Sequence, residues 1–366
     1  MRIVHLAESF WPRIGGGEIF ISELARSLQA RGHACQIVTN ELQGLPAAED
    51  RDGLPIRRLP FTRPLLQRDL PGILRVSAQL RELLTDWQPD LLHLHSQYAI
   101  SFYFLRVGPT LKIPSLYTTH VPFVLQQAPN PAVAAILNTV DAIVAISDAM
   151  RRQIITLNPA HTAKTRLIYN GLARPNLSPG PLPQNPSVLL AAARLVPEKG
   201  LDVLLRSLPT VLQDFPTLQT IVGGDGPERA PLEHLAVELG ISHAVSFPGW
   251  LDPQQVPVQM NRATLTVVPS RWQEPFGLVA IQSMQVARPV VASRVGGIPE
   301  IVKDGETGLL VPPDDPAALS HAILRILHNP VKAAQMGLRG RERAEHLFGW
   351  ERCITEYERL YSDLLP

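Results

Sequence analysis

Pro269-Ser270-Arg271-Trp272-Gln273-Glu274-Pro275-Phe276-Gly277-Leu278-Val279-Ala280-Ile281-Gln282 reads as the turn of one α/β unit. The run before it, Leu265-Thr266-Val267-Val268, is short, apolar and rich in β-branched residues, the pattern of a buried strand. After it, Phe276, Val279, Ala280, Ser283 and Met284 return at helical spacing. The order is therefore strand, polar loop, helix. The helix opens beside Gly277, where no side chain covers the free backbone N–H groups, and such an end attracts phosphate. Glu274, in the same loop, cannot hold phosphate but can accept hydrogen bonds from sugar hydroxyls. An anion site beside a hydroxyl acceptor suggests a sugar phosphate ligand.

The same stretch resembles the Glu-x7-Glu signature of the retaining family 4 glycosyltransferases, which have the GT-B fold. Glu274, the Pro-Phe-Gly that follows and the helix match it. The second Glu does not, because Gln282 stands in its place.

Bulk properties fit a two-domain globular chain. The protein has 366 residues, 45% hydrophobic and 18% charged, enough for two α/β cores. A net charge of +1 provides no field that calls for nucleic acid. Cys35 and Cys353 form no metal or redox spacing, as expected in a reduced compartment. The first residues enter a strand-like run too short for a signal peptide, and no apolar segment could span a bilayer. The expectation is a cytoplasmic protein.

Working outward, Ile3-Val4-His5-Leu6-Ala7 reads as a strand. It leads into Pro12-Arg13-Ile14-Gly15-Gly16-Gly17-Glu18 and then a helix, the start of a Rossmann-like unit. By itself the loop is a flexible turn. In position it resembles the Gly-Gly loop of family 4 enzymes, which implies that Gly16 and Gly17 face the donor phosphates and the acceptor. Ser115-Leu116-Tyr117-Thr118-Thr119-His120 places His120 at a strand end, where open α/β sheets build sites. The resemblance implies that His120 lies near the donor sugar. His93 and His95 resemble a family Asp-x-x-His-x-His strand, with either a structural or a functional role.

Residues 173–186 are rich in Pro, Asn, Ser and Gly and read as a linker. The expected domains are 1–172 and 187–349, with an amphipathic tail, 350–366, crossing back to the first. After Asn170-Gly171 the family pattern has an Asp where this chain has Ala173. In the second domain a strand ends at Arg194, and Lys199-Gly200 opens a helix. Two cations there suit a diphosphate, and the spacing resembles the family phosphate-binding pair. Val245-Ser246-Phe247-Pro248-Gly249 exits through Gly249, which by resemblance passes the nucleotide base, with Trp250 either stacking or packed.

These motifs fall in the family order along nearly the whole chain. They imply two Rossmann-like domains facing across a cleft and a retaining, metal-independent hexosyltransferase. The donor would be a UDP- or GDP-sugar and the acceptor a sugar, glycan or lipid. The implied catalytic set is His120, Glu274, Arg194 and Lys199. The implied donor contacts are Gly16, Gly17, Arg194, Lys199, Gly249, Glu274, Phe276, Gly277, Leu278 and Gln282. No cofactor is expected. Asp50-Arg51-Asp52 reads as a polar loop and gives no metal site. A nucleotide-binding protein with a degraded site and a sugar-nucleotide epimerase remain alternatives. The segment from Arg57 to Arg81, with Arg57, Arg58, Arg63, Arg68, Arg75 and Arg81 among leucines, reads either as an ordinary solvated face or as a surface that rests on anionic lipid.

Overall fold

The computed structural model describes residues 1–12, 15–121 and 131–365. Arg13 and Ile14 of the glycine-rich loop lie outside the described residues. The chain forms two compact units. One holds Met1–Tyr169 and the chain from Cys353 onward; the other holds Asn170–Arg352.

The first unit is built on β1 (Arg2–Ala7), β2 (Ala34–Asn40), β3 (Ala48–Arg51), β4 (Leu54–Leu59), β5 (Leu91–Leu94), β6 (Ser115–Thr119), β7 (Ala142–Ala145) and β8 (Thr165–Leu167). They lie in the order β3-β4-β2-β1-β5-β6-β7-β8, and every described pairing but β3 with β4 is parallel. Helices between parallel strands cover both faces. That is why β5 and β7 are buried at every position, and why β7 reads as an unbroken apolar run. Ser147 caps the helix Asp148–Leu157, its Oγ accepting from the Met150 N–H at 3.2 Å.

Asp50-Arg51-Asp52 departs from the polar loop expected. β3 and β4 form an antiparallel hairpin whose turn is Asp52-Gly53, with φ of 53° and 81°. Asp-Gly tolerates those angles and is a hairpin signal in its own right. Arg58 also departs from the basic surface read in the sequence. It is buried, paired with Glu49 at 2.7 Å, and donates to the carbonyls of Pro46 and Trp11.

The tail forms the helix Trp350–Leu364, whose Cys353, Ile354, Tyr357, Leu360 and Tyr361 are buried at helical spacing. It docks in the first unit, where Glu358 pairs with Arg31 at 2.6 Å and with His33 at 2.8 Å.

The second unit holds β9 (Val188–Ala192), β10 (Gln219–Gly223), β11 (Val245–Gly249), β12 (Leu265–Val268), β13 (Val290–Ser293) and β14 (Gly308–Val311). The order is β11-β10-β9-β12-β13-β14, all parallel. Residues 173–186 lie within this unit. Arg288, 1% exposed, donates to the carbonyls of Gly180 and Pro181 and holds that stretch down.

Strand order reverses between β1 and β5 in one sheet and between β9 and β12 in the other. Loops leaving adjacent strands diverge at such a point, and open α/β sheets bind ligands in the crevice this leaves. The loops carrying Gly16, Arg194 and Glu274 all start there.

Candidate active site

In the second unit, the loop after β12 carries Glu274 and the loop after β9 carries Lys199. Lys199 Nζ lies 2.6 Å from Glu274 Oε1, and Ser270 Oγ donates to the same oxygen at 2.6 Å. Glu274 is 8% exposed. Its Oε2 has no hydrogen-bond partner among the described residues and remains available as an acceptor. Lys199 Nζ also sits 5.5 Å from the centre of the Trp272 ring.

Arg271 ties the two loops together. It grips Asp202 with two bonds, 2.7 and 2.6 Å, reaches Asp314, and donates to the Pro197 carbonyl at 3.2 Å. The Asp202 hydrogen bonds, more than any other partner, push its guanidinium further up from an already high value. Arg271 is thus a fixed strut. Arg194 is the opposite: it is exposed, and its guanidinium has no hydrogen-bond or ion-pair partner among the described residues.

Three glycines set the loop shapes. Gly200, at φ 62°, turns the chain after Lys199, and a Cβ there would stand 2.1 Å from the Pro269 carbonyl oxygen. Gly277, at φ 126°, precedes the helix Leu278–Gln285. Gly296, at φ 52°, lies so close to Glu274 that a Cβ would be 2.0 Å from its backbone oxygen. The Glu274 backbone also accepts from the Gly297 N–H at 2.8 Å.

Phe276 is buried and turns its ring edge-on to Phe348, 5.7 Å between centres. Leu278 begins the helix, and half-buried Gln282 follows one turn later, its side-chain amide without a hydrogen-bond partner among the described residues. Gly249, at φ 85°, ends β11 and accepts from the Gly224 N–H at 2.8 Å. Trp250 beside it is 65% exposed rather than packed.

In the first unit, Gly16 and Gly17 open the helix Gly16–Ala30, and a Cβ on Gly17 would meet nothing within 4 Å among the described residues. His120 follows β6. Its Nε2 lies 3.2 Å from His95 Nδ1, and His95 Nε2 lies 3.0 Å from His5 Nδ1. His93 is bonded on both sides, to Thr118 Oγ1 and to Tyr361 Oη, each at 2.7 Å. Burial pushes all four imidazoles down, His5 to about 3, His120 to about 4, and His93 and His95 well below the usual range. They are neutral at physiological pH.

Two family descriptions divide the chain between them: Glycosyltransferase Family 4 matches residues 14–174, and Glycosyl transferases group 1 matches residues 176–343. D-inositol 3-phosphate glycosyltransferase of Nocardioides sp. is 31% identical over 93% of this chain and 84% of its own. This chain belongs to the family 4, group 1 glycosyltransferases. Glycogen synthase of Mycobacterium tuberculosis is 27% identical over 79% of this chain and 73% of its own. Sucrose-phosphate synthase from Thermosynechococcus elongatus superposes with a TM-score of 0.85 at 27% identity, over 99% of this chain and 98% of its own. Anabaena HepE in complex with UDP-glucose, at 22% identity and covering 99% and 100%, shares the fold with a TM-score of 0.81. The fold is GT-B.

For a glycosyltransferase, the chemical demand is to stabilise charge on the departing group while holding the sugar. The second unit brings Lys199 and Glu274 into direct contact and leaves Arg194 free nearby in the same crevice loops. Three site-building residues carried no motif. Ser270 and Arg271 lie in plain view within the quoted stretch, but their partners are set only by the fold. His5 pairs in register with His93 across β1 and β5. A histidine inside an otherwise apolar strand was the available signal.

Proposed function

We propose that this enzyme transfers a hexose, with retention of configuration and without a metal, from a nucleotide diphosphate sugar to a sugar, glycan or lipid acceptor. The observation that carries this is the Lys199–Glu274–Ser270 constellation beside the unpartnered Arg194. Arg194 and Lys199 supply positive charge to the diphosphate, with the N–H groups at Gly277 and Leu278. Glu274 offers Oε2 to sugar hydroxyls, and Gln282 offers an amide to the ribose. The family resemblance assigns His120, Gly16 and Gly17 to the donor as well. The UDP-glucose bound to Anabaena HepE, a protein of the same fold, favours a UDP-sugar donor over GDP. With no nucleophilic side chain placed by this set, a same-face displacement is the mechanism it supports.

The test is thermal shift with UDP, GDP, UDP-glucose and GDP-sugars, followed by acceptor-free hydrolysis with and without EDTA. Arg194→Ala should leave the unliganded melting temperature unchanged, because exposed residues without partners contribute within about 0.5 kcal/mol. It should remove most of the shift given by UDP. A full shift in this variant would place the diphosphate elsewhere. Binding without turnover of any donor would favour a nucleotide-binding protein, and turnover restored only by added Mg²⁺ would end the metal-free reading.

A second part of the proposal concerns location. No helix among the described residues is long and apolar enough to cross a membrane. Leu66, Leu70 and Leu74 are 79%, 62% and 51% exposed, among the exposed Arg63, Arg68 and Arg75. Apolar side chains flanked by cations fit a cytoplasmic protein resting on anionic lipid. Sedimentation with phosphatidylserine vesicles should pull the protein down at low salt and release it at high salt. Leu70→Glu/Leu74→Glu should abolish this binding. Equal binding to neutral vesicles, or none to anionic ones, would remove the membrane contact.

A further inference from the structure

Behind His120 lies a line of imidazoles that the transfer chemistry does not by itself require. His120 Nε2 faces His95 Nδ1 at 3.2 Å, and His95 Nε2 faces His5 Nδ1 at 3.0 Å. The rings of His120 and His95 stack at 19°, those of His95 and His5 at 24°. We propose that His95 is a positioning residue that fixes both the nitrogen and the tautomer His120 presents, so that His120 meets its ligand through a neutral Nδ1–H donor. This rests on the reading of His120 as facing the donor sugar.

The argument is one of hydrogen-bond accounting. A neutral imidazole has one N–H and one lone pair. Three such rings joined by two hydrogen bonds therefore share one polarity, and only two are possible. In the first, each ring carries its proton on Nδ1 and donates outward, ending in an N–H on His120 Nδ1. The inner end is then a lone pair on His5 Nε2. In the second, each proton sits on Nε2, and the inner end is a buried N–H on His5. His5 is fully buried, and its Nε2 has no partner among the described residues. A buried N–H without an acceptor is the rarer defect in proteins. The first polarity is therefore favoured.

His93 does not break the line, since Thr118 and Tyr361 take both of its nitrogens. Ring nitrogens of His5, His93 and His95 lie within 4.8 Å of one another, close enough to share a cation. Yet His5 and His95 already face each other at hydrogen-bond distance, and His93 is fully engaged by hydroxyls. The cluster is explained without an ion. An Nδ1–H on His120 can hold an oxygen of the ligand but cannot accept a proton at that atom, so His120 holds rather than deprotonates.

The test is nitrogen NMR of protein labelled with ¹⁵N-histidine, assigned with His5→Gln, His95→Asn and His120→Gln. The expected result is a protonated Nδ1 and bare Nε2 on His5, His95 and His120, with the His120 signals moving on addition of UDP-glucose. A protonated Nε2 on His95 or His120, or stoichiometric zinc in the purified protein, overturns the proposal whatever the turnover. Expected tautomers with no response of His120 to UDP-glucose would uphold the polarity and retire the donor-facing reading instead. In turnover, an Asn amide stands near Nδ1 and a Gln amide near Nε2. His95→Gln should lower kcat for UDP-glucose hydrolysis about tenfold, the scale of one lost hydrogen bond, with KM little changed, and His95→Asn should recover most of it. Equal loss in both, with melting temperatures lowered alike, would reduce His95 to a packing role.

Discussion

Lys199→Met is expected to lower stability by roughly 2–3 kcal/mol and to reduce donor turnover by at least about a hundredfold. The stability loss follows from burial. Lys199 Nζ lies 2.6 Å from Glu274 Oε1, with side-chain exposures of 23% and 10%. Without the ammonium, Ser270 alone faces that carboxylate, and an unpaired charge is left in a place water reaches poorly. The remaining exposure of Lys199 keeps the figure below that of a fully buried pair. The activity loss has two sources. One is the missing charge opposite the departing diphosphate. The other is the displacement of Glu274, whose Oε2 is the proposed hydroxyl acceptor. These separate in a double-mutant cycle with Glu274→Gln. The double variant should regain at least about 1 kcal/mol of the stability lost by Lys199→Met, because the orphaned charge is gone. Its turnover should stay low. Additive stability losses across the four proteins would show that the pair is not coupled, and the site would have to be rebuilt around Arg194.

Much of this site could be read from the chain because its parts are local. Strand, loop and helix around Glu274 follow one another within the 21 residues 265–285, and the apolar runs of parallel strands are legible as such. Arg194 and Lys199 were readable for the same reason, as cations on either side of a strand-to-helix turn. What was not legible is pairing between distant segments. Lys199 and Glu274 are 75 positions apart, and His93 and Tyr361 are 268 apart. Only the sheet order brings β9 beside β12 and lays the C-terminal helix against β5 and β6. The basic segment shows the limit from the other side. Arg58 has the same letter as Arg57, yet alternation along β4 turns one inward to Glu49 and the other outward. The hairpin at Asp52-Gly53 was a different kind of miss. Its signal was local, but Ala48-Glu49-Asp50-Arg51 carries no apolar alternation to flag β3 as a strand.

The glycines provide the sharpest contrast, because identical letters are expected to give opposite outcomes. Gly296→Ala should destabilise the protein by about 3 kcal/mol and take turnover with it. Its φ is 52°, left-handed and unfavourable for any residue with a Cβ, and that Cβ would stand 2.0 Å from the Glu274 backbone oxygen and 2.6 Å from its nitrogen. Backbone cannot rotate aside as a side chain can, so the Glu274 loop itself must move. Gly17→Ala meets neither obstacle. Gly17 lies in the first turn of a helix, and its added methyl would meet nothing within 4 Å among the described residues. Alanine is the better helix former by as much as about 1 kcal/mol, so melting temperature should hold or rise. Nothing among the described residues of the unit therefore demands glycine at 17. If the demand comes from a ligand approaching the backbone, Gly17→Ala should lower UDP-glucose turnover at least about tenfold, some 1.4 kcal/mol, while the fold stays intact. Melting curves and hydrolysis rates on the two variants are the measurement. Full activity in Gly17→Ala would make the Gly-Gly loop an ordinary turn and remove it from the site. An unperturbed Gly296→Ala would mean that Glu274 is not held by the close approach of Gly296.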